Sequence, residues 1–327
     1  MRLTGKKIVK NDSPNKFTFG PVPSRRLGQS LGIDIVPFKT CTYDCIYCQL
    51  GHTTTKTVTR DEYTAIDDVL RDVRAAVRKY PGIDYLTVSG SGEPTLHSRI
   101  GELIDALKSE FSHPVAVLTN GSLLSDPDVA KALLKADVVM PTLAADCEKR
   151  FRYVHRPHVD LTFSNLVDGI VDFAGEFKNH LWLELFILDG VTTGGNTLQS
   201  IKRIVDMVEP ERIHVNTAVR PPAEESAVAV EHKPLDSIAR YFGSRAEVVV
   251  EYKTQNTPCG EKVNEDAHDA VVELLRRRPC TESDIVAALS LHRIEVIKIL
   301  SHLYDSGKAE KISKSGYLYY RMTHLPS

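Results

Sequence analysis

Apolar residues along this chain switch between two spacings, and the switching predicts alternating strands and helices. Residues 30–38 form the first strand-like run, with Ile33, Ile35 and Val36 in it. Residues 61–80 then carry Ile66, Val69, Leu70, Val73, Ala76 and Val77 at helical spacing, and Pro81-Gly82 stops the helix. A short β-branched run, 83–89, reads as the next strand. The pattern repeats as helix 97–111 to strand 115–119, helix 126–135 to strand 137–141, helix 161–177 to strand 181–187, and helix 198–208 to strand 212–217. Six strands, five of them introduced by a helix, argue for an α/β fold with a parallel sheet. Right-handed crossovers curl such a sheet into a barrel or part of one. Periodicity alone does not separate a partial barrel from an open doubly wound sheet.

After a polar connector containing Pro258, Cys259 and Gly260, the pattern changes. Helical stretches at 267–278, 282–288 and 293–305 precede strands at 309–313 and 317–321, joined through Lys314-Ser-Gly316. Three helices and a hairpin look like a winged helix-turn-helix. The expected organisation is an N-terminal arm over 1–19, a main α/β unit over 20–255, a linker over 256–265 and a winged-helix-like module over 266–327. In that module Arg293 begins the helix that would read nucleic acid, and Arg276, Arg277, Arg278, Lys308, Lys311 and Lys314 would meet phosphates. From Asn264 onward, however, nine Lys or Arg are matched by nine Asp or Glu, which is not the basic footprint of a nucleic-acid domain. Packing, dimerisation or docking of a partner protein explains the module equally well.

Composition narrows the picture only a little. At 327 residues, with 42% hydrophobic and 26% charged residues, the chain has the usage of a globular protein. A formal net charge of -2 gives no global attraction to nucleic acid or to an anionic membrane. No run of 18 apolar residues occurs, and Met1 to Lys7 lacks the apolar core of a signal peptide. The expectation is a cytoplasmic protein with no membrane partner.

Three cysteines change the picture entirely. Cys41-Thr-Tyr-Asp-Cys45-Ile-Tyr-Cys48 follows the first strand directly, with three and then two residues between the thiols. This is the C-terminal end of a strand, where parallel α/β barrels place their chemistry. All three can turn inward on one loop and ligate one iron-sulfur cluster. Three thiolates leave one iron of a four-iron cluster without a protein ligand, open to a small molecule. A structural zinc site would want four ligands, usually as two separated pairs, and no second Cys-x-x-Cys exists. Six cysteines are too sparse for a disulfide framework. Cys147, Cys259 and Cys280 are isolated and read as structural cysteines, though Cys259 beside Gly260 could be a reactive thiol.

Other strand ends are polar. Ser89-Gly-Ser-Gly-Glu-Pro-Thr-Leu96 is a Gly-rich loop that lets backbone approach a ligand, and its Glu93 could accept a hydrogen bond from an ammonium group. Thr119-Asn120-Gly121 ends the next strand; Thr142 and Asn216 lie near later strand ends. Arg156 and His158 in His155-Arg-Pro-His158, and Arg220 in Arg220-Pro-Pro-Ala-Glu-Glu225, are candidate substrate contacts on loops of the same side. Each of these could equally be a solvated or capping residue.

The spacing Cys-x-x-x-Cys-x-aromatic-Cys resembles the signature of the radical S-adenosylmethionine (radical SAM) superfamily. The resemblance implies a partial (β/α)6 barrel and a [4Fe-4S] cluster on Cys41, Cys45 and Cys48 whose free iron chelates S-adenosylmethionine. It further implies Tyr47 beside the adenine, and Ser91-Gly92-Glu93 in place of the family's Gly-Gly-Glu, holding the methionine amino group. Thr119 and Asn120 would line the cofactor, and Thr142 and Asn216 would touch its carboxylate, ribose or adenine. A reducing partner of flavodoxin or ferredoxin type is implied as electron donor. The runs Gly20-Pro-Val-Pro-Ser-Arg-Arg-Leu-Gly28, Ser89 to Leu96, His155 to His158 and Asn216 to Glu225 look like a subgroup similar to the tRNA wybutosine-synthesising enzymes. Two departures matter: no cysteine precedes Cys41, and no flavodoxin domain is present. The leading expectation is a radical SAM enzyme acting on an unidentified substrate, with modified RNA first. The alternatives are an activase that places a radical on a partner protein, and an iron-sulfur DNA-binding regulator.

Overall fold

All six expected strands form, and they lie side by side in the order in which they occur in the chain. The structure is a computed structural model that describes residues 17–249 and 265–323, apart from 25, 290, 292 and 315. It begins with an antiparallel pair, β1 (Thr18–Ser24) and β2 (Gly28–Ile33), followed by a short parallel pair, β3 (Thr40–Cys41) and β4 (Thr55–Lys56), which brackets the cysteine loop. Helix and strand then alternate. α1 (Ile66–Lys79) leads to β5 (Tyr85–Val88), α2 (Ile100–Glu110) to β6 (Val115–Thr119), and α3 (Pro127–Leu133) to β7 (Val138–Leu143). α4 (Glu148–His155) and α5 (Phe163–Glu176) lead to β8 (His180–Ile187), α6 (Gly195–Val208) to β9 (Arg212–Thr217), and α7 (His232–Phe242) to β10 (Ala246–Val248).

One eight-stranded sheet results, ordered β1-β2-β5-β6-β7-β8-β9-β10 and parallel everywhere except between β1 and β2. The helices bury their apolar stripes on it, as α1 does with Ile66, Val69, Leu70, Val73 and Ala76. Leu31, Ile33, Leu86, Val115, Val117 and Leu183 are completely buried, as strands covered on both faces require. Each such side chain contributes about 1.5–3 kcal/mol relative to exposure. Because every parallel strand points the same way, the cysteine loop and the loops after β5, β6 and β9 all emerge at one end of the sheet.

The differences from the sequence reading have local causes. Gly20-Pro-Val-Pro-Ser-Arg-Arg-Leu-Gly28 is rich in turn-forming residues, yet Thr18–Ser24 is a strand whose register shifts between Phe19 and Val22, around Gly20-Pro21. A proline lacks a donor, and an edge strand tolerates that loss. α4 is absent from the expected elements because it has eight residues, of which only Phe151, Val154 and His155 are buried. The periodic signal in so short a stretch is too weak to register. Thr142 lies inside β7 rather than beyond a strand end.

The C-terminal elements are α8 (Glu265–Arg277), β11 (Cys280–Thr281), α9 (Glu282–Leu289), α10 (Arg293–Asp305), β12 (Ala309–Lys314) and β13 (Tyr317–Met322). The hairpin expected from the sequence gains β11 as a third strand, in the order β11-β13-β12. This unit rests on the main sheet. Val22 of β1 packs into the terminal core with Val271, Leu274 and Ile285. Lys314 Nζ donates to the carbonyls of Ala218 and Arg220 at 2.7 and 2.9 Å, and the Tyr319 hydroxyl donates to that of Val219 at 3.1 Å. Lys314, expected to meet phosphates, is therefore committed to the loop after β9. Cys280 is buried as expected, whereas Cys147 is exposed and Cys259 lies outside the described residues. No helix among the described residues is long and apolar enough to cross a membrane.

His214, on β9, is 1% exposed and packs 5.4 Å from the Trp182 ring. Burial, reinforced by the Arg26 charge, lowers its pKa to about 4. The folded state therefore binds fewer protons than the unfolded state between pH 6.5 and about 4, and stability falls as pH falls through that window. Between pH 7 and 5 this group should cost about 2 kcal/mol. Urea denaturation at the two pH values should show His214→Leu losing less stability than the wild type by that amount. An identical pH dependence in the variant would refute the assignment.

Candidate functional site

The first strand turns into the cysteine loop through Lys39, whose φ of 58° reverses the chain direction. Cys41, Cys45 and Cys48 then line a single cavity of about 420 Å³ at the C-terminal ends of the strands. Tyr47, Gly92, Glu93, Thr119, Asn120, Thr142 and Arg220 line the same cavity. A larger cavity, about 580 Å³, lies between Phe38, Leu50 and the terminal module. None of these cysteines nor Glu93 lines it, so the candidate site is the smaller one.

Backbone contacts hold the two loops together. Lys39 N–H donates to the Ser91 carbonyl at 2.8 Å, and Glu93 N–H donates to the Thr40 carbonyl at 3.0 Å. Gly92 sits against that same carbonyl: a Cβ there would come within 2.1 Å of the Thr40 oxygen. Ser91 is turned away from the cavity, its N–H and hydroxyl both donating to Asp34 Oδ2 at 3.0 and 2.7 Å. The Ser91 side chain is thus a brace for the loop.

Glu93 is buried, and its carboxylate is closely coordinated. Oε1 accepts from Thr95 N–H, the Thr95 hydroxyl and the Thr119 hydroxyl at 3.1, 2.6 and 2.7 Å; Oε2 accepts from Asn120 N–H at 2.8 Å. Burial raises its pKa, and these hydrogen bonds oppose the rise. A cationic ligand in the cavity would favour the charged form further. The Asn120 side chain reaches the cysteine loop, donating to Thr42 Oγ1 at 2.8 Å and to Cys41 Sγ at 3.6 Å. Thr119 and Asn120 are thereby linked to both loops.

The thiols are spread around the cavity. Among the described residues no group of three His, Cys, Asp or Glu side chains is gathered closely enough to hold a single metal ion. Burial, and after it the Glu93 carboxylate, pushes the Cys41 thiol up to about 12. Burial likewise raises Cys45 well above the usual thiol range, with the other two thiols adding to it. Thiolates so placed need several positive charges beside them, and a multi-iron cluster held by three cysteines fits that donor set.

In the sequence His155 is only the first residue of the His155-Arg-Pro-His158 run, with nothing to tie it to a thiol. It is fully buried at the end of α4, its Nδ1 lies 3.2 Å from Cys45 Sγ, and burial lowers its pKa to about 3. A neutral imidazole therefore supports this thiol. Lys39 Nζ lies 3.4 Å from Cys48 Sγ. Tyr47 stacks on Phe186, 4.0 Å between ring centres. Glu184, on β8, was also missed: Arg26 pairs with its Oε1 at 2.7 Å, Thr142 donates to Oε2 at 2.8 Å, and Asn216 donates to Oε1 at 2.9 Å. The periodic pattern reads Glu184 merely as one polar position in a strand. Arg156 and His158 are not brought into the cavity wall. Arg156 pairs with Glu224 at 2.7 Å, and His158 with Asp160 at 3.3 Å.

Comparison with known proteins agrees with this geometry. Residues 35–206 match the family described as the radical SAM superfamily. GTPase Obg of Brachyspira hyodysenteriae is 32% identical over 97% of this chain, and the match spans 47% of that protein. UPF0026 protein MJ1312 of Methanocaldococcus jannaschii is 30% identical over 93% of this chain and 95% of its own length. In fold, the chain resembles a radical SAM methyltransferase from Sphaerobacter thermophilus, with a TM-score of 0.51 at 16% identity over 67% of this chain and 65% of that one. It also resembles anSMEcpe with bound AdoMet, with a TM-score of 0.50 at 17% identity over 66% of this chain and 63% of that one. The mostly parallel sheet accordingly takes its place among radical SAM partial barrels.

The contact at Gly92 has a direct test. Gly92→Ala should force the loop off the Thr40 carbonyl and destabilise the protein by about 1–3 kcal/mol, measured by chemical denaturation. A variant as stable as wild type would show that the two loops are not in contact.

Proposed function

The chain belongs to the radical SAM superfamily, whose enzymes use a [4Fe-4S] cluster and S-adenosylmethionine together with a reductant, and from that premise we propose how its own residues serve the reaction. Cys41, Cys45 and Cys48 would hold the cluster, and Glu93 the amino group of S-adenosylmethionine. Supporting this reading is one observation: the three thiols and the Glu93 carboxylate line a single cavity at the C-terminal end of the sheet. When bound and reduced by a donor, the cluster and S-adenosylmethionine would supply one-electron reductive cleavage of the sulfonium, the source of a carbon radical for hydrogen abstraction.

The protein's part is binding and exclusion of water. Glu93 presents a buried carboxylate whose orientation is set by Thr95, Thr119 and Asn120. Gly92 lets the backbone approach without a side chain intervening. Tyr47, stacked on Phe186, offers a flat apolar surface suited to an adenine. Thr142, Asn216 and Arg26, gathered on Glu184, form a polar wall suited to a ribose or to the methionine carboxylate. His155 holds Cys45 in place as a neutral hydrogen-bonding partner.

The finer proposals follow from the sequence. The main unit is taken as 20–255 and the terminal one, of winged-helix type, as 266–327, in a cytoplasmic protein reduced by a flavodoxin or ferredoxin. Modified RNA is the first substrate to test, on the strength of motif runs that resemble those of the wybutosine-synthesising enzymes. Comparing modified nucleosides between a deletion strain and its parent tests that choice.

The activity itself is tested with anaerobically reconstituted, dithionite-reduced protein. Wild type should convert S-adenosylmethionine to 5'-deoxyadenosine, and Cys45→Ala should lose both the cluster absorbance and the product. Glu93→Gln should bind S-adenosylmethionine roughly 10- to 100-fold more weakly, the loss expected for one hydrogen bond to a charged group. Equal turnover in wild type and Cys45→Ala would refute the reading.

A further inference from the structure

The cavity has a wall that the cofactor residues leave unused, and it is cationic. Arg220, from the loop after β9, meets Arg277 and Arg278, from the end of α8 and the turn that follows it. The Nε atoms of all three are buried and have no hydrogen-bond partner. Buried guanidinium groups carry a desolvation cost that only a counter-charge with hydrogen-bonding capacity offsets.

The anions available within the protein are unevenly shared. Arg277 has Glu273 at 2.5 Å, Asp34 at 3.7 Å and the Phe19 ring at 4.7 Å. Arg220 has Asp284 at 3.8 Å, beyond hydrogen-bonding distance. Burial lowers the pKa of Arg278, whose ionisable neighbours are Cys280, with which its side chain is hydrogen-bonded, the like charge of Arg220, and the same Asp284. Two guanidinium groups thus share one carboxylate at the edge of a cavity.

A carboxylate ligand offers two coplanar oxygens, which match one guanidinium fork, whereas a phosphate accepts from forks that approach from different directions. Here the donors come from two different parts of the chain. We propose that Arg220 and Arg278, with Arg277 behind them, form a phosphate subsite, and that the substrate carries a phosphate ester bound there while its reacting part faces the cysteine loop. This rests on the reading of the cavity as the radical site, and it gives the terminal module a function: it supplies half of the substrate clamp. The Lys314 and Tyr319 contacts to the carbonyls of residues 218–220 hold the Arg220 loop in register with that module. A cavity of about 420 Å³ lies toward the small end of the range for small-molecule sites, so what enters is one phosphorylated unit. That unit is either a small phosphate ester or a single nucleotide of an RNA strand.

The test uses the full-length reconstituted protein and inorganic phosphate as probe, read by thermal unfolding and calorimetric titration against chloride of equal ionic strength. Phosphate should raise the melting temperature of the wild type and of the surface control Lys298→Gln. Arg220→Gln and Arg278→Gln should each weaken phosphate binding roughly tenfold or more, while Arg278→Lys should recover part of it. Should one variant fail to fold, the other carries the test, because the two arginines lie on different elements. A wild-type response no larger than that to chloride, or an undiminished response in the Arg220→Gln/Arg278→Gln double variant, overturns the subsite. Displacement of phosphate by a nucleoside 5'-monophosphate but not by a short single-stranded oligoribonucleotide supports a small phosphate ester. Displacement by the oligoribonucleotide, dependent on Arg220, supports an RNA phosphate, and displacement by neither overturns the substrate assignment. Phosphate binding is read without S-adenosylmethionine, so absence of S-adenosylmethionine cleavage in wild type would count against the proposed function and leave this result standing.

Discussion

The carbonyl oxygen of Thr40 is the contact on which the candidate site depends. It accepts the Glu93 N–H at 3.0 Å and leaves no room for a side chain at residue 92. Through it the cysteine loop and the Glu93 loop become one unit, although β4, α1 and β5 separate them in the chain. The parallel sheet makes this possible, since β2 and β5 are hydrogen-bonded neighbours and both loops leave at the same end. A glycine at 92 follows from close approach of two backbones and not from an unusual dihedral angle.

Around that contact the site is built from buried carboxylates that other groups hold in place. Glu93 is positioned by Thr95, Thr119 and Asn120, and Glu184 by Arg26, Thr142 and Asn216. A buried carboxylate is costly without partners, and partners of this number fix its orientation before any ligand arrives. Thr119 and Thr142 therefore act on the cavity through the carboxylates that they orient. The terminal module then closes the opposite wall, and its contacts with residues 218–220 make the cavity a joint product of both parts of the chain.

Much of this was legible from the residues in order. Strand and helix spacing identified the six parallel strands, and the eight-residue cysteine stretch marked the candidate cluster loop. Glu93 was singled out because Ser91-Gly92-Glu93, one helix after the cysteine loop, resembles the Gly-Gly-Glu motif of the radical SAM superfamily. The roles of His155 and Glu184 were not, because each becomes chemically distinctive only through a neighbour far away in the chain: Cys45, 110 residues distant, and Asn216, 32 residues distant. Lys314 was read as a free wing lysine for the same reason, since its acceptors lie 94 and 96 residues away.

By itself, then, the sequence determined what local order can encode: the alternation of elements, the direction of the strands, the thiol spacing and the end of the sheet at which the chemistry collects. Periodicity is a property of one segment, and ligand spacing of one loop. The tertiary structure alone decided that Arg220 joins Arg277 and Arg278 in the cavity lining while Arg156 and His158 turn to Glu224 and Asp160. Those outcomes depend on how the terminal helices pack against β1 and on which buried charges come within reach of one another. Packing between distant segments sets both, and no periodic pattern records it.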